Sequence, residues 1–315
     1  MRLNYEPKYG VTPQFTPSFV STVVRTVVNS GGTLDISLLA KLICFENRSN
    51  LDELIKTGIK FGFWDVTKDQ TVEVKNAQNL SESILSPLYF AHFVHNSLYS
   101  LQLDNPKNWN SLSVLLAWAY SLKLTQSDSQ RGRKEMLIPW SYELFEEFGI
   151  QSKLCASLDD GSTINKNETQ WNASRKWLQQ LGIFMYTKDS LTPSPQILKS
   201  AIHLELSTRT ESVTPIRELV EGIRNRCPFL PGGKYGKMWT EHVRSQWGSD
   251  LPESIDCDQD FKLSEQESLV LQLLEARKWI AFTEQNDAGD SFSLTAGTTE
   301  GRKITHFQKL VLLNG

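Results

Sequence analysis

The sequence has little that would advertise a chemistry. Its four cysteines, Cys44, Cys155, Cys227 and Cys257, are scattered and form no Cys-x-x-Cys pair. A structural zinc needs thiolates and imidazoles at close spacing, so none is indicated, and the thiols read as buried and reduced. Long apolar runs are missing too. The longest, LSVLLAWAYSL from Leu112 to Leu122, falls short of the ~20 residues that span a bilayer. The opening stretch MRLNYEPKYG lacks the apolar core of a secretory signal, so the expected setting is the cytoplasm, with no membrane partner. Neither sign of charge dominates: 33 Lys and Arg stand against 36 Asp and Glu, net −3. Dedicated nucleic-acid binders often carry a strongly basic domain, so DNA affinity here must come from local patches. Gly-x-Ser-x-Gly, His-Glu-x-x-His and Gly-x-Gly-x-x-Gly are all absent. The chain is therefore expected to be non-enzymatic, without cofactor or metal.

What is present is a repeated phrase. KFGFWDVTKDQTVEV surrounds Trp64 and LGIFMYTKDSLTPSP surrounds Phe184. Each follows an apolar helical pattern and runs Gly, a bulky pair, then Thr-Lys-Asp. Before the first phrase, the pairs Phe19/Val20, Val23/Val24 and Val27/Val28 recur every four residues, and Thr16-Pro17 and Gly31-Gly32 bound a helix. A second helix is expected over 35–43 and a third over 49–59, with Lys68-Asp69-Gln70 turning a hairpin. Three helices followed by a hairpin is the order of a winged helix, whose second and third helices form a helix-turn-helix. The aromatic pair would plug the gap between the helices and the hairpin.

The same plan is expected twice more. In the second copy the helix WNASRKWLQQLG precedes Phe184. A long stretch, 149–164, separates it from the helix expected after Pro139, where a helix-turn-helix normally has a tight turn. In the third, SEQESLVLQLLEARKW precedes the strand–turn–strand pattern WIAFTEQNDAGDSFSLT, with Trp279 in the place of Trp64 and Phe184. The fold class is thus mainly α with small β-hairpins, a tandem array of winged-helix domains. The expected division is 1–78, a helical connector 79–108, 109–200 and 201–315. The irregular offsets describe similar domains rather than a solenoid of fixed period.

Several motifs fail on inspection. PGGKYGKM has Pro231 and Met238 where a phosphate loop needs Gly and Ser or Thr. DCDQDFKLSEQE has Phe261 where a calcium loop turns on Gly, and Ser264 with Glu267 reads more simply as a capping box. His92 and His95 share a helical face without a third ligand. Glu73 and Lys75 match the end of a metal-dependent nuclease motif, but on a strand that reads as one arm of a hairpin.

The positive candidates are polar helix faces. Arg48 and Asn50 open the third helix, where free amides favour phosphate and where Arg and Asn suit guanine and adenine edges. Lys166, Asn167, Gln170, Arg175 and Lys176 line the outer face of the helix before Phe184. Lys234 and Lys237 lie in a basic loop able to meet phosphate backbone. Segment charges are net 0 for 16–78, +1 for 109–200 and −4 for 201–315.

On the pattern of helix, Gly, bulky pair and polar wing turn, the chain resembles the tandem winged-helix accessory proteins of bacterial phage-defence and DNA-modification clusters. The DpdG-like family of the 7-deazaguanine cluster is the one it is most similar to, over most of its length. That resemblance implies a non-enzymatic subunit working beside a helicase, ATPase or nuclease on DNA. It brings no site residues with it. The leading expectation is a non-catalytic DNA-binding or assembly subunit contacting double-stranded DNA and other subunits. The alternatives are a pure protein–protein adaptor, using the aromatic segment 88–101 and the acidic loop 250–260, and a metal-dependent nuclease at Glu73 and Lys75.

Overall fold

A computed structural model of the chain describes residues 14–45, 47–74, 87–101, 109–121, 126–127, 134–135, 168–187, 190–193, 196–209, 213–247, 263–283, 291–294 and 302–310. The chain divides into two compact units, Met1–Leu115 with Ser141–Gly182 and Leu116–Trp140 with Ile183–Gly315. It is mainly helical, with short antiparallel sheets.

In the first unit, α1 (Pro17–Asn29) starts where the sequence places it. Thr16 caps it by accepting from the Phe19 amide, and it buries Val20, Val23, Val24 and Val27. A short strand not legible in the sequence follows, β1 (Thr33–Asp35). Its last residue caps α2 (Ile36–Leu42), the Asp35 carboxylate accepting from the amides of Ser37 and Leu38. Next come α3 (Arg48–Lys60), β2 (Asp65–Val66) and β3 (Thr71–Glu73). The strands lie in the order β1-β3-β2, so the last-made strand is central. The turn between β2 and β3 puts Gln70 at φ 58°.

The end of α3 explains the repeated phrase. Gly62 sits at φ 73°, the Phe63 amide donates to the Gly58 carbonyl and the Gly62 amide to Ile59. This left-handed stop satisfies carbonyls the helix would otherwise leave open. It sends Phe63 and Trp64 inward, both with no exposed surface. Trp64 lies across Gly58 and donates its indole N–H to the Ile55 carbonyl at 2.9 Å. Phe63 joins a ring cluster with Phe15, Phe61, Phe93 and Trp177, at centroid separations of 5.2–6.2 Å. The connector helix α4 (Pro87–Tyr99) belongs to this core. Pro87 is its first residue, and Phe90, Val94 and Leu98 are buried. In α5 (Ser111–Ser121) every residue from Val114 to Tyr120 is buried.

The remaining elements are β4 (Gln126–Ser127), β5 (Lys134–Glu135), α6 (Glu168–Gln180), β6 (Phe184–Thr187), β7 (Ser190–Pro193), α7 (Gln196–Ser207), β8 (Val213–Pro215), α8 (Ile216–Arg226), α9 (Lys234–Trp247), α10 (Glu265–Ala276), β9 (Ile280–Thr283), β10 (Phe292–Leu294), β11 (Arg302–Ile304) and β12 (His306–Lys309). β4 pairs with β5 and β6 with β7. α6 belongs to the first unit, where the Trp177 indole donates to the Phe15 carbonyl at 3.0 Å. It ends on Gly182 at φ 67°, as α3 ends on Gly62.

The second unit repeats the strand plan of the first with insertions. Its sheet runs β8-β12-β9, again with the last-made strand central and an edge strand ahead of a helix. The Ile36 amide that opens α2 donates to Gln70, the residue before β3. The Ile216 amide that opens α8 donates to Thr305, the residue before β12. Two sequence expectations need correcting here. The strand after α10 does not pair with the next one, because β9 pairs with β12 while β10 and β11 pair with each other. And Trp279 does not occupy the place of Trp64. The left-handed stop of α10 is Lys278 at φ 59°, with the Trp279 amide donating to Leu274, so Trp279 matches Phe63 and the fully buried Ile280 matches Trp64. Trp279 is half-buried beside His203, with the Lys199 ammonium 5.3 Å from its ring.

Candidate functional site

In the second unit a cleft of about 550 Å³ opens at the start of α9. Its walls come from one face of α8, where Arg217, Glu221 and Arg224 recur at helical spacing, and from Lys234 and Lys237 one turn apart on α9. The loop between the helices, Cys227 to Gly233, is anchored by Phe229 and Leu230, both fully buried. Glycines in this loop and in the first turn of α9 permit close approach. A Cβ on Gly236 would strike the Leu230 carbonyl, one on Gly233 the Pro228 carbonyl, and one on Gly232 the Arg224 guanidinium.

Backbone amides at this helix start already have acceptors. Those of Tyr235 and Gly236 donate to the Pro228 carbonyl at 2.8 and 3.0 Å, and that of Gly233 donates to Leu230. They are turned inward onto the loop, unlike the amides of a phosphate loop, which gather around the ligand.

Arg224 forms the rigid floor. Its Nε and Nη2 donate to the two carboxylate oxygens of Glu267 at 2.9 and 3.2 Å, and its guanidinium lies 6.0 Å from the Phe292 ring centroid. Both partners are buried, and the two-pronged geometry offsets the cost of taking the two charges out of water. Glu267 also completes the capping box of α10, accepting from the Ser264 amide at 2.7 Å while Ser264 accepts from the Glu267 amide. Beside this pair, burial and then the Glu267 charge push the Cys227 thiol up to about 12, so it stays protonated and unreactive.

The sequence pattern of the DpdG-like family matches residues 12–288. The chain belongs to the DpdG-like family. Membership associates it with DNA-modification and defence clusters. No curated protein and no solved structure matches it.

Within this DpdG-like chain the described candidate residues are spread over both units. Lys234 and Lys237 are exposed and share the cleft. Lys176, exposed on α6, lines a separate groove of about 530 Å³ with Thr16 to Ser18 at the start of α1. Arg175 is half-buried on the same helix. Arg48 is the first residue of α3, and Asn50 is exposed one position beyond Ser49. Asn47, ahead of them, caps the helix by accepting from the Asn50 amide at 3.3 Å. Gln170 lies in α6, while Lys166 and Asn167 fall outside the described residues, as do the acidic loop 250–260 and Lys75.

Glu73 is exposed in β3, opposite Asp65 and Thr33, in a sheet that has three antiparallel strands among the described residues. Among the described residues no three His, Cys, Asp or Glu side chains gather where a metal ion could sit. None of the described helices is long and apolar enough to cross a membrane. In the aromatic segment expected as a docking surface, Phe90 and Phe93 are buried. Sequence reading missed Arg217. Its spacing of seven from Arg224 on one helix face was the available signal.

Proposed function

We propose that this DpdG-like chain is a non-catalytic, DNA-binding assembly subunit of a cytoplasmic bacterial complex that acts on DNA in phage defence, built on winged-helix units. The observation that carries the reading is the recurrence of one strand plan, edge–centre–edge with the last-made strand central, around helices in both units. That is the arrangement in which a winged helix offers its third helix to a groove and its hairpin to the flanking backbone. Arg48 and Asn50 on α3, Gln170, Arg175 and Lys176 on α6, and Lys234 and Lys237 on α9 are the described candidate contacts, with Lys166 and Asn167 completing the set. Double-stranded DNA and other subunits of the complex are the partners. The test is a mobility-shift series on duplex DNA across salt concentrations, with the chain alone and with the products of its neighbouring genes. Absence of any shift at low salt in both settings overturns the DNA half of the reading.

A second reading, a pure protein–protein adaptor, draws on Leu38 and Leu42, exposed one turn apart on α2 at 47% and 54%. Exposed leucines at that spacing suit the groove or helix face of another subunit. Stable co-purification with partners without any response to DNA would favour it.

A further inference from the structure

We infer that the outer face of the β8-β12-β9 sheet is where this chain meets a second copy of itself. The inference goes beyond the DNA-binding reading and does not depend on it. The pairing register sorts the side chains of this sheet onto two faces. Thr214, Phe307 and Phe282 lie opposite one another and are buried. The alternate residues face outward. Val213, Gln308 and Ala281 make one outer row, and Pro215, His306 and Thr283 make the next. The Leu310 amide donates to the Trp279 carbonyl, which carries the register one residue further and adds that pair to the face. Leu310 is 48% exposed and Val213 42%, and these rows contain no Asp, Glu, Lys or Arg.

The first unit supplies the comparison. Its β1-β3-β2 sheet has the same strand plan, and there the outer rows are Thr33, Glu73 and Asp65, then Asp35 and Thr71. Three carboxylates on a small exposed face keep it in water and set like against like when two copies approach. The equivalent face of the second unit has no such guard. Depletion of charge beside apolar and aromatic side chains is the composition of an interface core. Lys199 reaches only the margin, where the Trp279 ring engages it.

A two-fold contact lays a face on its own image, so it needs a face that does not repel itself. The uncharged rows meet that condition. They offer no cation to a phosphate backbone and no counter-charge to an acidic or basic peptide. Two such sheets stack in the aligned manner of a sandwich, about 10 Å apart. Leu310 and Val213 supply apolar contact, and Gln308 and Thr283 supply uncharged hydrogen-bonding groups. Eight residues a side is fewer than the roughly 20–30 of a standard interface, so the copies exchange in the micromolar range.

The experiment is sedimentation velocity of the full chain from about 1 to 100 µM, which should show monomer passing to dimer as concentration rises. Gln308→Glu and Gln308→Lys, both on the central strand, each set like charges across the contact and should weaken self-association roughly 10–100-fold. An equimolar mixture of the two should associate again, because opposite charges then meet. Glu73→Gln, on the sheet of the first unit, should leave sedimentation unchanged. Thermal melts show whether each variant is folded. A wild-type chain that stays monomeric at about 100 µM overturns the inference. So does a dimer that both Gln308 variants leave intact, and so do two weakened variants whose mixture fails to recover. A monomeric wild type whose binding to another purified subunit is lost in the Gln308 variants gives the face to that subunit and overturns the second copy.

Discussion

The indole of Trp64 occupies the space that a side chain on Gly58 would fill, and its N–H reaches past that glycine to the Ile55 carbonyl at 2.9 Å. A glycine in mid-helix normally costs about 1 kcal/mol relative to alanine. Here the contact reverses the sign. Gly58→Ala should lower the stability of the first unit by about 1–3 kcal/mol through overpacking, despite the gain in helix propensity. Urea titration followed by tryptophan fluorescence measures it. A stabilised variant would mean that the ring can move aside.

Arg224 and Glu267 should behave as one group. Glu267→Gln leaves a buried guanidinium without its counter-charge and should cost about 3–5 kcal/mol. The double variant Arg224→Met, Glu267→Leu removes both charges and should recover most of that loss, short of the ~1 kcal/mol capping contribution to α10. Denaturant midpoints of Arg224→Met, Glu267→Leu and the double decide this. Additive losses would show that the two side chains act independently.

His95 is buried on α4, and its Nδ1 is 2.8 Å from the Ala91 carbonyl, to which it donates as the neutral ring. Burial is the main cause that lowers its pKa from 6.5 to about 4, with the His92 charge adding to it and the Ala91 contact opposing it. The folded value lies below the unfolded one, so the neutral ring is favoured in the native state. Its contribution is complete above pH 6.5 and is lost as pH falls from 6.5 towards 4, to the extent of roughly 3 kcal/mol. Stability measured over that window should fall, and His95→Leu should flatten the slope. An equal slope in the variant would place the acid sensitivity elsewhere.

Cys44 is exposed and Cys227 buried. A thiol with a pKa near 12 is thiolate in only about one molecule in ten thousand at pH 8. Iodoacetamide labelling of the native chain, read by peptide mass spectrometry, should modify Cys44 readily and reach Cys227 only on unfolding. Equal labelling would reveal an opening of the loop between α8 and α9.

Local chemistry was legible in the sequence. Thr16-Pro17, Gly31-Gly32 and Ser264 with Glu267 marked helix ends because each satisfies a specific backbone group, and the structure has those caps in place. The short edge strands β1 and β8 were not legible. Three residues are too few for an alternating pattern, and the partner strand is remote. The same reason hid the pairing of β9 with β12, since a hairpin with the nearest strand is the default. Trp279 was misplaced by one position because Lys278 takes the left-handed conformation without being glycine. In the cleft, Lys234 and Lys237 were visible as a pair in one loop. Arg217 was not, because its place in the wall depends on α8 folding beside α9.

The central strand of the second sheet joins Thr214 and Phe282 through Phe307, and it is the last of the three to be made. A nascent chain therefore carries both outer strands with open hydrogen-bonding edges until the final strand emerges. Such edges recruit strands from neighbouring molecules. Stalled or truncated products ending before β12 should gather in insoluble material, and the demand on chaperones during synthesis should fall on the carboxy-terminal half.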